Sequence, residues 1–270
     1  MAELEYKFTN DALFKMVFSQ NPDLLKRLVA IILGMQLESI KYFEITNPEM
    51  EPEVMGDKFC RLDIHMLVDE QRVDLEIQVR DEGDYPVRSL YYWARDFSTA
   101  LKENEAYKTL PRTVIINILA FEQFPCEAFY SEYQILEITR HTPLTDKLGM
   151  IYLELPKLPE VVDASDELKL WLALFNAKTE EDLAKIEIMG GPVMQQAIGA
   201  YRQVTAEDRF KEIERLRSRA RHNEASALDY VRSEEREKWQ GIVADKDAAH
   251  TAALADKDAQ IADLLARLGK

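Results

Sequence analysis

The chain predicts a mixed α/β fold, an α+β sheet flanked by helices with an all-helical extension behind it. Three patterns say so. Two stretches between residues 58 and 80 alternate apolar and polar side chains, residues 113–119 form a short and nearly continuous apolar run, and beyond Pro159 only helical periodicity remains. Taken in order, Leu13, Phe14, Val17 and Phe18, then Leu24, Leu25, Leu28, Val29 and Ile32, with Asn21-Pro22-Asp23 between them, predict helix, turn, helix, closed by Gly34. Strands are expected over Leu37 to Ile45, Lys58 to Val68 and Val73 to Arg80, with Pro48 and Pro52 in an acidic loop between the first two.

Asp84 to Asn104 predicts a helix with Asp84 as cap and Pro86 in the first turn, burying a stripe of Leu90, Trp93, Ala94, Phe97 and Leu101. Val114-Ile115-Ile116-Asn117-Ile118 predicts a central strand covered on both faces. Two further strands are expected over Tyr133 to Ile138 and Met150 to Leu155, the second ended by Pro156 and Pro159. The order is α-β-β-β-α-β with added strands. Helices then run over Asp166 to Phe175, Thr179 to Met189, Pro192 to Val204, and from about Ala206 to the end, where Thr205 and Asp208 resemble a capping box.

That last segment carries Ala-Asp-Lys-Asp-Ala at 244–248 and again at 255–259, an eleven-residue offset typical of a straight or slightly right-handed bundle. Leu254, Ile261 and Leu268, seven apart, offer a heptad-like seam as well. A helix of about 60 residues would be roughly 90 Å long and could not cover its stripe on so small a domain, so it asks for a partner. Three segments are therefore expected: a sheet domain at 1–160, a helical subdomain packed on it at 161–205, and a long helix at 206–270 that forms a coiled coil or homo-oligomer.

Composition narrows the class. The chain has 270 residues, 47% of them hydrophobic and 9% aromatic, enough for a sizeable core. No apolar run reaches the roughly 18–20 residues that cross a bilayer, and the N-terminus lacks a signal-peptide layout, so a cytoplasmic protein with no membrane partner is expected. Cys60 and Cys126 give neither a disulfide framework nor a zinc pattern. The net charge is −15, and residues 1–160 hold 17 Lys/Arg against 28 Asp/Glu. Any binding to nucleic acid should therefore be weak and steeply salt-dependent.

The polar positions of the expected hairpin carry the chemistry. Val73, Leu75, Ile77 and Val79 alternate with Asp74, Glu76, Gln78 and Arg80, and the first strand sets Arg61, Asp63 and His65 against Leu62, Ile64 and Met66. A solvated polar face is expected opposite a buried apolar one. If the connection is a loop from Asp69 to Arg72, Asp63 faces Gln78 and His65 faces Glu76. Asp63 and Glu76 are then diagonal neighbours with Cα atoms roughly 7–8 Å apart, within reach of one divalent ion. The plainer alternative is an ordinary solvated strand face.

Arg88, Tyr92 and Arg95 follow at i, i+4 and i+7 away from the helix stripe, and suit a phosphate clamp. Their alternative is ion pairing with Asp81, Glu82 or Asp84. The four histidines lack metal-ligand spacing, and His65 reads as a surface histidine. No Gly-rich phosphate loop and no Ser/His/Asp arrangement is visible.

Asn10-Asp11-Ala12-Leu13-Phe14-Lys15-Met16-Val17-Phe18, Arg61-Leu62-Asp63-Ile64, Asp74-Leu75-Glu76-Ile77-Gln78 and Arg88 through Arg95, in this order, resemble the PD-(D/E)XK nuclease superfamily. Within it they resemble the recombination-promoting nuclease or putative transposase family of bacteria. The resemblance covers about residues 7 to 160. It implies a restriction-endonuclease-like αβββαβ core in which Asp63 and Glu76 hold Mg²⁺, or Mn²⁺ in its place, and the main-chain carbonyl of Ile77 is a further ligand. Gln78 takes the position of the superfamily's lysine. A neutral amide orients water without supplying charge, so a second cation such as Lys15 would have to contribute it, with Asp11 as an accessory acid or a helix N-terminal one. The implied activity is a Mg²⁺-dependent DNA endonuclease. The competing expectation is an inactive nuclease fold that oligomerises or binds a protein partner through its C-terminal helix.

Overall fold

The computed structural model describes residues 3–46, 64–101 and 104–269. Arg61, Asp63, Cys60 and the start of the expected strand at Lys58 lie outside the described residues. The chain divides into two compact units, residues 1–211 and 212–270.

The first unit opens with helices α1 (Asp11–Gln20) and α2 (Pro22–Ile32). Asn10 caps α1, its side chain accepting from the Leu13 N–H at 2.9 Å, and Pro22 starts α2, where a missing N–H costs nothing. The sheet comprises β1 (Phe43–Ile45), β2 (Ile64–Val68), β3 (Gln71–Gln78), β4 (Arg112–Leu119), β5 (Tyr130–Tyr133) and β6 (Leu148–Glu154), in the order β1-β2-β3-β4-β6-β5. β1, β2 and β3 pair antiparallel, β3 with β4 and β4 with β6 are parallel, and β5 returns antiparallel on β6. Helix α3 (Tyr85–Thr99) connects β3 to β4, and the order α-β-β-β-α-β is that read from the sequence. The apolar run of β4 is buried from Thr113 to Leu119, as a central strand with both faces covered requires.

Three elements differ from expectation. The strand expected over Leu37 to Ile45 is a short 3₁₀ turn at Leu37–Ser39 followed by pairing only from Phe43, because the Ser39 and Ile40 N–H groups are already bonded to Gln36 and Leu37. The strand expected over Tyr133 to Ile138 lies earlier, at Tyr130–Tyr133, after which Glu137 turns the chain by accepting from the Thr139 and Arg140 N–H groups. Thr205 does not cap the last helix. Its hydroxyl bonds back to the Tyr201 and Arg202 carbonyls inside α5, a use that competes with capping.

The helices after the sheet are α4 (Glu167–Asn176), α5 (Glu180–Ala206) and α6 (Asp208–Leu268). α5 starts with a capping box of Thr179 and Asp182 and bends at Gly191, whose φ of 57° precedes Pro192, so the two helices expected there are two arms of one kinked element. Phe14, Phe18, Trp171 and Phe175 are wholly buried where α1 and α4 meet, and Phe8 stacks on Tyr201 of α5 at 4.9 Å.

The second unit is the greater part of α6, a helix of 61 residues and roughly 90 Å. Tyr230, Trp239, Leu254, Ile261, Leu264 and Leu265 are all exposed along it. Among the described residues no helix is long and apolar enough to cross a membrane.

Candidate functional site on the face of the sheet beneath α3

The β2–β3 hairpin sets the site. Its turn is two residues, Asp69-Glu70, so His65 faces Asp74 and Ile64 faces Leu75. This corrects the expected pairing of His65 with Glu76. The tighter turn forms without glycine because Asp69 takes φ 52° and its Oδ1 accepts from the main-chain N–H groups of Lys41 and Tyr42, at 2.8 and 2.9 Å. Asp63 lies outside the described residues, and so does its pairing.

The polar face of β3 is not solvated. Asp74 is wholly buried and Glu76 is 7% exposed. α3 covers that face, and it does so with polar side chains, which is why hydropathy misjudged it. The residues α3 buries are Tyr85, Ser89 and Asp96, whereas Leu90 and Ala94 of the expected stripe are exposed and Trp93 and Phe97 are half-buried.

Beneath the helix lies Asn117 of β4, the parallel partner of Glu76. The Tyr85 and Ser89 hydroxyls each donate to its Oδ1 at 3.0 Å, and its Nδ2 donates to the Ile151 carbonyl at 3.0 Å. Trp93 Nε1 adds a bond to the Thr113 carbonyl at 2.9 Å. Replacing Asn117 with Ala removes the acceptor that the Tyr85 and Ser89 hydroxyls share and the donor to the Ile151 carbonyl, and a loss of about 1–3 kcal/mol is expected in a urea titration.

Glu76, Ile77 and Gln78 end β3 together, with Ile77 4% exposed. Gln78 is half-buried, donates through Nε2 to the Arg80 carbonyl at 3.1 Å, and receives Ala120 N–H on its own carbonyl at 2.9 Å. Lys15 is half-buried on α1, the helix that packs against β3. Asp11 is the first residue of that helix and accepts from the Ala12 N–H at 2.9 Å, the place of a helix N-terminal acid.

Of the expected clamp, Tyr92 is half-buried and Arg95 is exposed. Arg88 pairs with Glu82 and lies 4.8 Å over the Tyr85 ring. Burial disfavours the charge of Arg88, but the bond and charge of Glu82 outweigh it, and its pKa is raised. This is the ion pairing that the sequence offered as the alternative to a phosphate contact.

The sequence reading missed a second group beside Glu76. His65 is no free surface residue: Nε2 lies 3.2 Å from Asp96 Oδ1 and 3.7 Å from Asp74 Oδ1, and Nδ1 meets the Thr46 hydroxyl. Arg72 holds both oxygens of Asp96. Burial opposes the ionised form of Asp96, but the His65 hydrogen bond and the charges of His65 and Arg72 prevail and hold its carboxyl below the usual range. Asp74 goes the other way: burial first, then the charge of Asp96, push its carboxyl well above the usual range, with Arg72 opposing. The available signal was Asp96, a lone acid on a helix face that also holds Tyr85, Ser89 and Tyr92.

A mixed sheet with this topology, a helix crossing the face that bears an acid and an amide at the end of a central strand, defines a nuclease-like α/β protein. The chain belongs to the PD-(D/E)XK nuclease family transposases, whose family model matches residues 8–231. No curated protein and no solved structure matches it closely enough to add to this. The superfamily works with divalent metal ions. The donor chemistry fits one, since Glu76 and the carbonyl of Ile77 are hard oxygen donors of the kind that Mg²⁺ takes.

Proposed function

We propose that the protein is a Mg²⁺-dependent DNA endonuclease of the cytoplasm, hydrolysing phosphodiester bonds. What supports this reading is the family match together with Glu76, a carboxylate withdrawn from solvent on a central strand two residues before a half-buried glutamine. Asp63 and Glu76 would hold the ion, with the Ile77 carbonyl as a further donor. Mg²⁺, when bound, supplies Lewis-acid polarisation of a phosphoryl oxygen and acidifies a water.

The chain's own groups do the rest. Gln78 has one amide hydrogen committed to the Arg80 carbonyl and its Oε1 left to accept from the attacking water. Lys15 adds positive charge from α1, and Asp11 acts as an accessory acid or, as its bond to Ala12 suggests, holds the helix start. Arg95, exposed, and Tyr92 meet the phosphate directly, whereas Arg88 must exchange the Glu82 carboxylate for it. With a net charge of −15 the DNA contact is weak, and cleavage should fall steeply as salt rises. Conversion of supercoiled plasmid to the nicked form, with and without Mg²⁺, tests the reading.

A second reading is favoured by α6, whose Trp239 is 63% exposed along with a run of leucines and isoleucines. In it the nuclease fold is inactive and the helix is the working part, joining copies of the chain or a protein partner. Self-association through α6 is compatible with either reading. Truncation after Arg236 is expected to lower the mass seen by light scattering to that of one chain, and an unchanged mass counts against assembly through the helix.

A further inference from the structure

The buried acids of the sheet are of two kinds. Glu154 is fully engaged: Oε1 accepts from the Gln123 and Phe124 N–H groups at 2.5 and 3.1 Å, and Oε2 from Lys157 at 2.7 Å. Asp74, 0% exposed, has no hydrogen-bond partner on either carboxylate oxygen among the described residues. Such a carboxylate is costly unless a cation or a proton meets it. The geometry points to a second cation site, formed by His65 Nε2 with the carboxylates of Asp74 and Asp96, that takes a Zn²⁺-like ion and ties β2, β3 and α3 together.

The donor atoms are already gathered. One from each residue lies within 4.8 Å of the others, and Nε2 stands 3.2 and 3.7 Å from the two carboxylates. Ligands about 2.0–2.1 Å from a tetrahedral ion are roughly 3.3 Å apart, so little movement would close the set. One imidazole and two carboxylates favour Zn²⁺ over Mg²⁺, which prefers oxygen alone.

The surrounding groups are arranged as supports for such ligands. The Thr46 hydroxyl lies 3.1 Å from the His65 carbonyl and donates to it, which leaves its oxygen to accept from Nδ1–H. With Nδ1 carrying the hydrogen, Nε2 can exchange its hydrogen bond to Asp96 for an ion and present that ion a lone pair. Arg72 in turn grips Asp96, as the outer partners of ligating carboxylates do. It also offsets one of the two negative charges, so the remaining one, on the unpartnered Asp74, is what a bound cation would meet. The consequence is structural: Asp96 sits on the helix that carries Arg88, Tyr92 and Arg95, and an ion here fastens that helix to the hairpin.

This inference does not rest on the nuclease reading. The experiment is Zn²⁺ binding by the full chain, measured as metal retained after gel filtration and by calorimetry, in the wild type and in E76Q, D74N and H65Q. The expected result is one Zn²⁺ that E76Q keeps, and that binds D74N and H65Q roughly 10–100-fold more weakly or worse. In E76Q, Zn²⁺ should also raise the melting temperature, and in D74N it should not. H65Q, changed at the part-exposed rim, decides the matter if D74N fails to fold. No Zn²⁺ uptake by the wild type, equal uptake by D74N and H65Q, or an ion lost in E76Q but kept in D74N would each overturn the proposal. Loss of Mg²⁺-dependent nicking in E76Q with Zn²⁺ retained would leave both readings standing, each on its own evidence.

Discussion

Asp63→Ala and Glu76→Gln are each expected to abolish Mg²⁺-dependent nicking of supercoiled plasmid, by roughly 10³-fold or more, about 4 kcal/mol of transition-state stabilisation. Glu76→Gln is the sharper of the two. It keeps the shape of a side chain only 7% exposed and removes the charge that an ion requires, so the far-UV circular dichroism should not change. Nicking by either variant at the wild-type rate would remove these two residues from the mechanism.

The largest effect on stability is expected at Phe175→Ala. Its ring touches four others, with centroids at 5.6 Å to Phe14, 5.9 Å to Phe8, and 6.1 Å to both Phe18 and Trp171. All five side chains are essentially excluded from water, and they join α1 to α4. Truncation leaves a cavity that the crowded rings cannot fill, at a cost of about 3–5 kcal/mol. That is a large share of the 5–15 kcal/mol typical of a folded domain, so the urea midpoint should fall sharply. Because α1 carries Asp11 and Lys15 and packs against β3, the variant should also lose nicking activity before it unfolds. An unchanged midpoint would mean that these rings are not the keystone of the helical layer.

Much of the fold could be read directly. The six residues Val114 to Leu119 of β4 are apolar except Asn117, and a strand with both faces covered is what such a run requires. Gly190-Gly191-Pro192 marked the division of α5 correctly, since Pro192 cannot continue the helix hydrogen-bonding and Gly191 supplies the positive φ. The β3 face was illegible for one reason, which is that alternating polar side chains predict a solvated surface. Asp74 and Glu76 alternate with apolar neighbours just as a solvated face would, yet both are buried, and α3 turns Tyr85 and Ser89 inward to Asn117 and Asp96 inward to Arg72 and His65.

Hydropathy cannot see that arrangement, because the groups that meet buried polar residues such as Asn117 and Asp96 come from distant elements. The hairpin register slipped by two for a local reason. Asp-Glu is a poor turn by composition, and it forms here because the Asp69 side chain also anchors the chain entering β1. With the register went the recognition of His65, whose partner Asp74 could be found only once the turn was known to be two residues long.

Self-association through α6 and salt-sensitive contact with DNA follow from exposed apolar residues and from an acidic net charge, and neither touches the centre of the account. That centre is one divalent ion held jointly by Asp63 and Glu76. Anomalous diffraction from a crystal of the protein soaked in Mn²⁺ tests it most directly. A peak bonded to oxygens of both carboxylates is the predicted result, and well-ordered Asp63 and Glu76 side chains directed apart with no peak between them would contradict it.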